Sequence, residues 1–323
     1  MHRRVSVVIP ALNEARFIEA CLESVFAQRV DRELEVIVVD GCSKDDTAAL
    51  ALAAGAIVVE NPARTTPAGL NAGLAWASGE VIVRFDAHAV MSPGYVQSCL
   101  RALEEERSPA CVGGWRQVSA NGPWGRATAA ALSSRLGVGN PRIWRRPRAG
   151  DRRRDVETVP LGCWATDVLR ALGGWSERHF RNQDFELNHR LRRAGGHVVF
   201  DPAIRSIYHP RESLHGLVRQ YWEYGRGKAL VIADEPRSLQ ARQLAPLALL
   251  ATVLTAPFSR ASRIAIGLYV SVVCVSAARS SGGWRTAPVL AAMHLAWGAG
   301  VTSALPGAWR RHARHSRTLD SDD

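Results

Sequence analysis

Short apolar runs alternate with helix-spaced apolar positions along the first two-thirds of the chain. We predict buried strands at Val5–Ile9, Glu35–Val39 and Val81–Phe85, and a shorter strand just after Ala56. Apolar positions three and four residues apart, as in Phe17–Phe26, predict helices between these strands. Strands joined by single helices form right-handed βαβ units. The pattern therefore predicts an α/β fold with a mainly parallel sheet flanked by helices.

The pattern changes beyond Leu244. No acidic residue occurs between that position and Pro306, and three apolar stretches follow at Leu244–Phe258, Ile264–Ala278 and Ala287–Leu305. A spanning helix needs about 20 residues, so only the third stretch is long enough, and we expect one interfacial helix followed by a short hairpin. The alternative is an apolar bundle packed on the soluble domain or on a partner.

This change of composition predicts three parts: a soluble domain at 1–235, an apolar membrane-associated helical region at 236–309 and a charged tail at 310–323. The arginines of the tail predict a cytoplasmic end. The dense basic loop between Arg142 and Arg154 is either a solvated face or a site for lipid headgroups or an acceptor pyrophosphate.

Charge and cysteine content narrow the class of protein. The 323 residues carry a net charge of +11, which favours nucleic acid, a membrane surface or phosphorylated substrates as partners. Nucleic acid is the weaker choice because no helix-turn-helix, zinc-finger or aromatic RNA-binding signature is present. The six cysteines are far apart, which favours a reducing compartment. The missing G-x-G-x-x-G after the first strand excludes a dinucleotide oxidoreductase.

Candidate chemistry follows the ends of two strands. Asp86 and His88 come directly after Val81–Phe85, and ligands bind beyond the carboxyl ends of parallel strands. A carboxylate and an imidazole suit Mn²⁺ and tolerate Mg²⁺, although Asp86 could instead cap a turn and His88 be a surface histidine. Asp40 is placed to accept hydrogen bonds from a base or ribose, or forms a turn with Gly41.

The order of the motifs resembles inverting glycosyltransferases of family 2, which have the GT-A fold. The motifs are P-x-x-N-E, V-V-D-G-x-S-x-D-x-T, N-x-G, D-x-H and N-Q-D-F-E-L-N-H-R-L-R-R-A-G. The segment R-Q-Y-W-E-Y-G-R-G-K-A most resembles the branch of succinoglycan-type exopolysaccharide glucosyltransferases. The resemblance covers roughly residues 4 to 232, and the family's D-x-D is here D-x-H.

The resemblance also implies roles for individual residues. The nucleotide-binding residues are Pro10, Asn13, Glu14, Asp40, Ser43, Arg64, Asn71 and Asp86. The metal ligands are Asp86 and His88, and the acceptor or diphosphate residues are Glu186, Gln220, Trp222 and Arg226. Asp184 matches the catalytic base, and Gln183 replaces a glutamate that is common in the family. The alternatives are a plain N-cap for Asp184, a solvated loop arginine for Arg64 and an interfacial aromatic group around Trp222.

The resemblance implies transfer of a sugar from a nucleotide diphosphate sugar, a UDP-hexose, to a lipid-linked saccharide with Mn²⁺ or Mg²⁺. We expect the chain at the bacterial inner membrane with its catalytic domain facing the cytoplasm, and oligomerisation is left open. One alternative is a polyprenyl-phosphate sugar synthase, whose phosphate acceptor needs little base catalysis. Another is a non-catalytic nucleotide-sugar-binding scaffold of a polysaccharide assembly complex.

Overall fold

The computed structural model describes residues 4–104, 110–138, 143–210 and 213–319, with side chains as far as 310. The strands are β1 Arg4–Ala11, β2 Glu33–Asp40, β3 Ile57–Glu60, β4 Val81–Arg84, β5 Ala89–Met91, β6 Cys111–Val118, β7 Arg154–Asp155, β8 Cys163–Ala165 and β9 Val198–Tyr208. The helices are α1 Ile18–Phe26, α2 Thr47–Ala53, α3 Thr66–Trp76, α4 Tyr95–Leu103, α5 Gly122–Leu132, α6 Arg135–Val138, α7 Thr166–Ala171, α8 Gln183–Arg193, α9 Leu214–Asp234, α10 Ala241–Thr255, α11 Arg260–Ala278 and α12 Thr286–Leu319.

The chain forms two compact units. The first comprises residues 1–118 and 142–209, and the second comprises residues 119–141 and 210–323. The second unit therefore contains α9 as well as the apolar helices. The predicted division into three parts, at 235/236 and at 309/310, rests on composition and stays a prediction. Arg142 of the predicted basic loop and the side chains beyond Arg310 lie outside the described residues.

The first unit is built on one sheet in the order β3-β2-β1-β4-β8-β6-β9-β5, with β7 paired to β9. Strands β1 to β4 pair in parallel, as in the register of Val7 with Val36 on one side and Val83 on the other. The predicted mainly parallel α/β sheet is confirmed. Strand β8 interrupts it, pairing antiparallel with both β4 and β6.

Helices cover both faces of this sheet because its central strands are apolar on both sides. Val7 and Ile9 of β1 pack in one core with residues of α1 and α4, including Leu22 and Leu100. Val8 faces the other core. That second core also holds Leu70 and Leu74 of α3, Leu187 and Leu191 of α8, and the buried pair Trp164 and Trp175. The parallel pairing of β1 with β2 places their carboxyl ends, Ala11 and Asp40, side by side.

Helices dominate the second unit. The predicted apolar stretches fall in α10, α11 and α12, and α10 ends three residues before the predicted Phe258. Two segments, Arg260–Ala278 and Gly283–Arg310, are long and apolar enough to cross a membrane by length and composition alone. An added Cβ at Gly300 would lie 2.3 Å from the Trp222 carbonyl oxygen, so the backbones of α9 and α12 are in contact.

Candidate active site

The loops after β1 and β2 are joined by hydrogen bonds at the carboxyl edge of the sheet. The backbone N–H of Asn13 donates to Ser43 Oγ at 2.8 Å, and the N–H of Lys44 donates to Asn13 Oδ1 at 2.8 Å. The buried Asp40 carboxylate accepts the Ser43 backbone N–H at 2.9 Å and the Ser43 hydroxyl. Pro10, the penultimate residue of β1, pairs with Val39 beside this loop pair. The structure thus brings Pro10, Asn13, Asp40 and Ser43 together.

Arg64 lies just before α3 and Asn71 lies within it, and their side chains differ in the hydrogen bonds that they form. Arg64 is exposed, has a positive φ of 57°, and its side chain forms no hydrogen bond or ion pair within the described part of the chain. The Asn71 amide, in contrast, donates to the Trp175 carbonyl at 2.8 Å and to Glu177 Oε1 at 3.0 Å, and accepts the Trp175 N–H at 2.8 Å. Asn71 therefore ties α3 to the loop before α8, and nucleotide binding by this residue stays a prediction.

Asp86 lies just past β4 in a cluster of opposite charges. Arg84 Nη2 donates to Asp86 Oδ1 at 2.8 Å, and Arg116 Nη2 lies 3.5 Å from Asp86 Oδ2. His88 places its Nδ1 3.1 Å from Glu14 Oε1, and its Nε2 has no partner among the residues described. The predicted residues Glu14, Asp86 and His88 therefore share one end of the sheet.

Asp184 is held by the same arginine as Asp86. It is the second residue of α8, and its Oδ2 accepts a hydrogen bond from Arg84 Nη1. Its other oxygen, Oδ1, is buried and has no hydrogen-bond partner in the described ranges. Asp184 is not the N-cap of α8, because that position is occupied by Asn182, which has a positive φ of 60°. The geometry therefore does not fit the alternative in which Asp184 is a plain N-cap. One of its carboxylate oxygens remains able to accept a proton.

Arg116 of β6 is the second buried cation of the cluster. It is 7% exposed, and its Nε and Nη2 form no hydrogen bonds among the described residues. Its guanidinium lies 4.3 Å from the ring centroid of Tyr208 and 5.2 Å from that of Trp144. Aromatic faces stabilise a cation while leaving its N–H groups unused. Arg116 can therefore donate to an anion that enters beside Asp86.

The two carboxylates respond to burial in opposite ways. Burial favours a higher pKa for Asp86, but Arg84, His88 and Arg116 outweigh it and lower the pKa. Burial also dominates at Asp184, where the negative charge of Asp86 adds to it. Arg84 opposes this shift without cancelling it, so the pKa of Asp184 is raised. The site thus keeps one carboxylate ionised and gives the other a higher affinity for protons.

Among the remaining predicted acceptor residues, only Glu186 belongs to the first unit, and it pairs within its own helix. Glu186 Oε1 and Oε2 pair with the Arg190 guanidinium at 2.5 and 2.9 Å, and Arg190 also donates to the Leu172 and Gly174 carbonyls. Glu186 therefore orients Arg190, and Arg190 ties α8 to the loop after α7. Gln220, Trp222 and Arg226 lie on α9, in the second unit, and their predicted role stays a prediction.

The donor set fits a divalent cation that a diphosphate completes. No cluster of three or more His, Cys, Asp or Glu side chains that could hold a metal occurs in the described ranges. Asp86 and His88 Nε2 supply one oxygen and one nitrogen, a set that Mn²⁺ accepts. Mg²⁺ and Mn²⁺ are often bound by one or two carboxylates together with substrate phosphates. The residues present therefore fit such an ion only together with the nucleotide.

Sequence comparison identifies the family. The profile of Glycosyl transferase family 2 matches residues 6–168. The chain belongs to this family. Succinoglycan biosynthesis protein ExoA of Rhizobium meliloti (strain 1021) is 30% identical over 338 residues, which cover 95% of this chain and 96% of that protein. The dolichyl N-acetyl-alpha-D-glucosaminyl phosphate 3-beta-D-2,3-diacetamido-2,3-dideoxy-beta-D-glucuronosyltransferase of Methanococcus voltae is 27% identical over 242 residues, covering 71% of this chain and 74% of that protein.

Solved structures confirm the fold. Mannosyltransferase PcManGT from Pyrobaculum calidifontis, in complex with GDP-Man and Mn²⁺, matches with a TM-score of 0.63 and 19% identity over 94% of this chain and 88% of that one. GalNAc-T7 with UDP, GalNAc and Mn²⁺ matches with a TM-score of 0.51 and 17% identity over 73% and 51% of the two chains. The predicted GT-A fold and family are therefore confirmed, and the family 2 chain is a glycosyltransferase of polysaccharide or glycan biosynthesis.

Two arginines of this family 2 site were missed from the sequence. Arg84 ends an apolar strand, and a charged residue at that position also fits the point where a strand leaves the core. Arg116 lies in the strand Cys111–Val118, where the alternating pattern gives it no special place. One signal was present for Arg84. A buried strand that ends in a cation two residues before a carboxylate places both charges at the ligand-binding edge.

Proposed function

We propose that the protein is an inverting, metal-dependent glycosyltransferase in which Asp184 is the catalytic base. A nucleotide diphosphate sugar, a UDP-hexose, is the donor, and a lipid-linked saccharide is the acceptor. An inverting transfer needs one base that removes the proton of the acceptor hydroxyl while its oxygen attacks the anomeric carbon in line. A second carboxylate nucleophile is not required. The cluster at the end of β4 contains one carboxylate for each task.

The observation that carries this proposal is that Arg84 contacts both Asp86 and Asp184. Asp86 is the proposed metal ligand and Asp184 the proposed base. A single guanidinium that reaches both carboxylates keeps the leaving-group end and the acceptor end of the reaction a few ångströms apart. Direct displacement requires this proximity, because the attacking and leaving oxygens lie on opposite sides of one carbon.

The chain's own groups would hold the donor and stabilise its leaving group. Asp86 and His88 Nε2 would hold the divalent cation, which when bound supplies charge stabilisation to the departing diphosphate. Arg116 offers unused N–H groups to the same phosphates. The paired loops that contain Asn13, Asp40 and Ser43 would hold the base and ribose at the neighbouring strand ends.

The relatives support the acceptor class and the location. One functions in succinoglycan biosynthesis, and the other is named for a sugar carried on dolichyl phosphate, so both names fit a glycan built on a lipid or at a cell surface. Two Mn²⁺-bound neighbours of the same fold support a divalent cation. The apolar helices and the basic tail support the cytoplasmic face of the bacterial inner membrane.

Donor turnover by the detergent-purified protein with Mn²⁺ or Mg²⁺ tests the proposal. Wild type is compared with Asp184→Asn and with Asp167→Asn, an exposed aspartate in the first turn of α7, over a panel of nucleotide sugars. We expect metal-dependent release of nucleoside diphosphate that falls at least about 100-fold in Asp184→Asn and is unchanged in the control. Donor binding should be retained in both variants.

Two other outcomes would replace the proposal. Turnover that survives Asp184→Asn would identify a phosphate acceptor, as in a polyprenyl-phosphate sugar synthase, because a phosphate is already ionised and needs no base. Metal-dependent donor binding without turnover, under every acceptor tried, would identify a scaffold subunit.

A further inference from the structure

Helices α10 and α11 expose large apolar side chains over their whole length. The exposed fractions reach 66% for Leu254, 57% for Ile264 and 65% for Leu268, and Phe258 in the turn between the two helices is 93% exposed. Among the residues described, α10 has no buried residue, and α11 buries only two small ones against its neighbours. Monomeric soluble proteins rarely expose a continuous apolar face of this kind.

Helix α12 packs against protein over its apolar part. From Thr286 to Val301 each of its residues is buried or partly buried. An added Cβ at Gly225 of α9 would lie 2.2 Å from the Trp297 carbonyl oxygen, and one at Gly298 would lie 2.8 Å from the Pro246 carbonyl oxygen of α10. Because these glycines have no side chain, α12 packs closely between α9 and α10.

This packing decides which helices can meet lipid. The middle of α9 touches the middle of the apolar part of α12, and α9 bears charged side chains along its length. These include Arg219 and Glu223, which pair at 3.4 Å, and the exposed Arg226. If α12 crossed the hydrocarbon, α9 would carry these charges into it, where charged side chains are strongly disfavoured. The predicted crossing hairpin of α11 and α12 is therefore incompatible with the contact between α9 and α12.

We infer that the α10–α11 pair lies along one leaflet of an anionic lipid bilayer, with α12 held inside the helical unit and not spanning the membrane. The inference specifies the proposed membrane location and does not depend on the catalytic role of Asp184. Between Arg263 and Arg279 the uncharged run is about 22 Å long as a helix, shorter than the roughly 30 Å hydrocarbon core.

The charges around the exposed α10–α11 surface favour an anionic lipid bilayer as its partner. No acidic residue occurs between Ala241 and Leu319, and arginines bracket the apolar run of α11. Arg263 Nη1 donates to the Ala256 carbonyl at 3.1 Å, which fixes the turn between the two helices and keeps its charge beside the apolar face. An apolar face bordered by cations is typical of helices that lie in the interface of anionic membranes.

Vesicle binding tests the surface. The protein is mixed with two kinds of phosphatidylcholine vesicle. One contains about 30% phosphatidylglycerol, chosen to give a surface of about physiological negative charge, and the other contains none. We expect Leu254→Glu and Leu268→Glu to weaken binding to the anionic vesicles at least about tenfold. Leu52→Glu, a change at a 67% exposed leucine of α2, is the matched control and should bind as wild type. Equal binding by all variants would overturn the inference. So would a stable dimer that the two α10–α11 variants convert to a monomer, because a second copy would then cover this face.

The depth of α11 in the bilayer is measured at Cys274, which is exposed on this helix. A fluorophore is attached there in a Cys42→Ser background, since the other described cysteines are buried. Lipids with a quencher near the headgroup should quench it several-fold more strongly than lipids with a quencher at the bilayer centre. Stronger quenching at the centre would establish a spanning or deeply inserted helix and overturn the inference. Donor turnover is measured on the same samples, so a loss of membrane contact is distinguished from a loss of catalysis.

Discussion

Replacement of Arg84 by glutamine should move the pH dependence of sugar transfer. Arg84 is the cation that contacts both buried carboxylates, and it lowers the pKa of Asp184 against the opposite effect of burial. Without it, burial and the charge of Asp86 raise the pKa of Asp184 against only the weaker opposing effects of Trp175 and Arg116. The base should therefore stay protonated to higher pH, and the acid limb of kcat should shift upward.

The magnitude follows from the geometry. The Asp184 side chain is 16% exposed and the Arg84 side chain 7%, so solvent screens this pair weakly. An opposite charge in direct contact stabilises a carboxylate by about 1–4 kcal/mol at an effective dielectric near 20. The ratio of ionised to protonated Asp184 should therefore fall by about 10- to 1,000-fold at a given pH below the limb.

The assay is kcat for donor turnover from pH 5 to 9 at saturating donor and metal. Arg84→Lys keeps the charge and should restore part of the original profile. Arg190→Gln is the control, because Arg190 also pairs with a carboxylate on α8 but contacts Glu186. This variant should lose stability without moving the acid limb. A folded Arg84→Gln enzyme with an unshifted limb would refute the electrostatic role.

Three further changes have distinct expected results. Arg116→Leu should raise the donor KM about tenfold, since it removes N–H groups beside the proposed diphosphate site, and should shift the acid limb upward less than Arg84→Gln does, because Arg116 lowers the pKa of Asp184 less than Arg84 does. Asn71→Ala should cost about 1–3 kcal/mol of unfolding free energy, because it leaves Trp175 backbone groups unpaired, while donor KM stays constant; a raised KM would support nucleotide binding. Glu35→Gln should destabilise at neutral pH by about 1 kcal/mol in urea unfolding. Despite burial, hydrogen bonds from Ser6 and Ser78 lower the folded pKa of Glu35, so this difference should vanish as the pH falls through that pKa.

The sequence predicted those parts of the fold that local pattern determines. β1, β2 and β4 are continuous apolar runs, and burial on both faces leaves such runs few alternatives. β8 is three residues long and pairs antiparallel between β4 and β6, so it owes its position to distant partners rather than to its own sequence. A strand this short shows no periodicity of apolar positions from which it could be predicted.

The same limit separates the predicted from the missed site residues. Asp86 and Asp184 could be selected because motif order marks them. The meeting of Arg84 with Asp184, 100 residues later in the chain, depends on how α8 packs on the sheet. Arg116 reaches Asp86 only because β6 lies one strand away from β4, across the inserted β8. Charge partners across a sheet of non-sequential order are a property of the topology.

The unequal surroundings of Asp86 and Asp184 explain how one cluster can serve two tasks. A metal ligand must be ionised at neutral pH, and Asp86 faces two arginines and a histidine that favour that state. A general base must bind a proton in the transition state, and at Asp184 burial and the charge of Asp86 outweigh Arg84 and Arg116, so the pKa is raised. Pairs of carboxylates whose environments push their pKa values apart are a mark of divided acid–base roles. The burial that makes Asp184 costly to ionise is therefore the property that makes it a better proton acceptor than its neighbour.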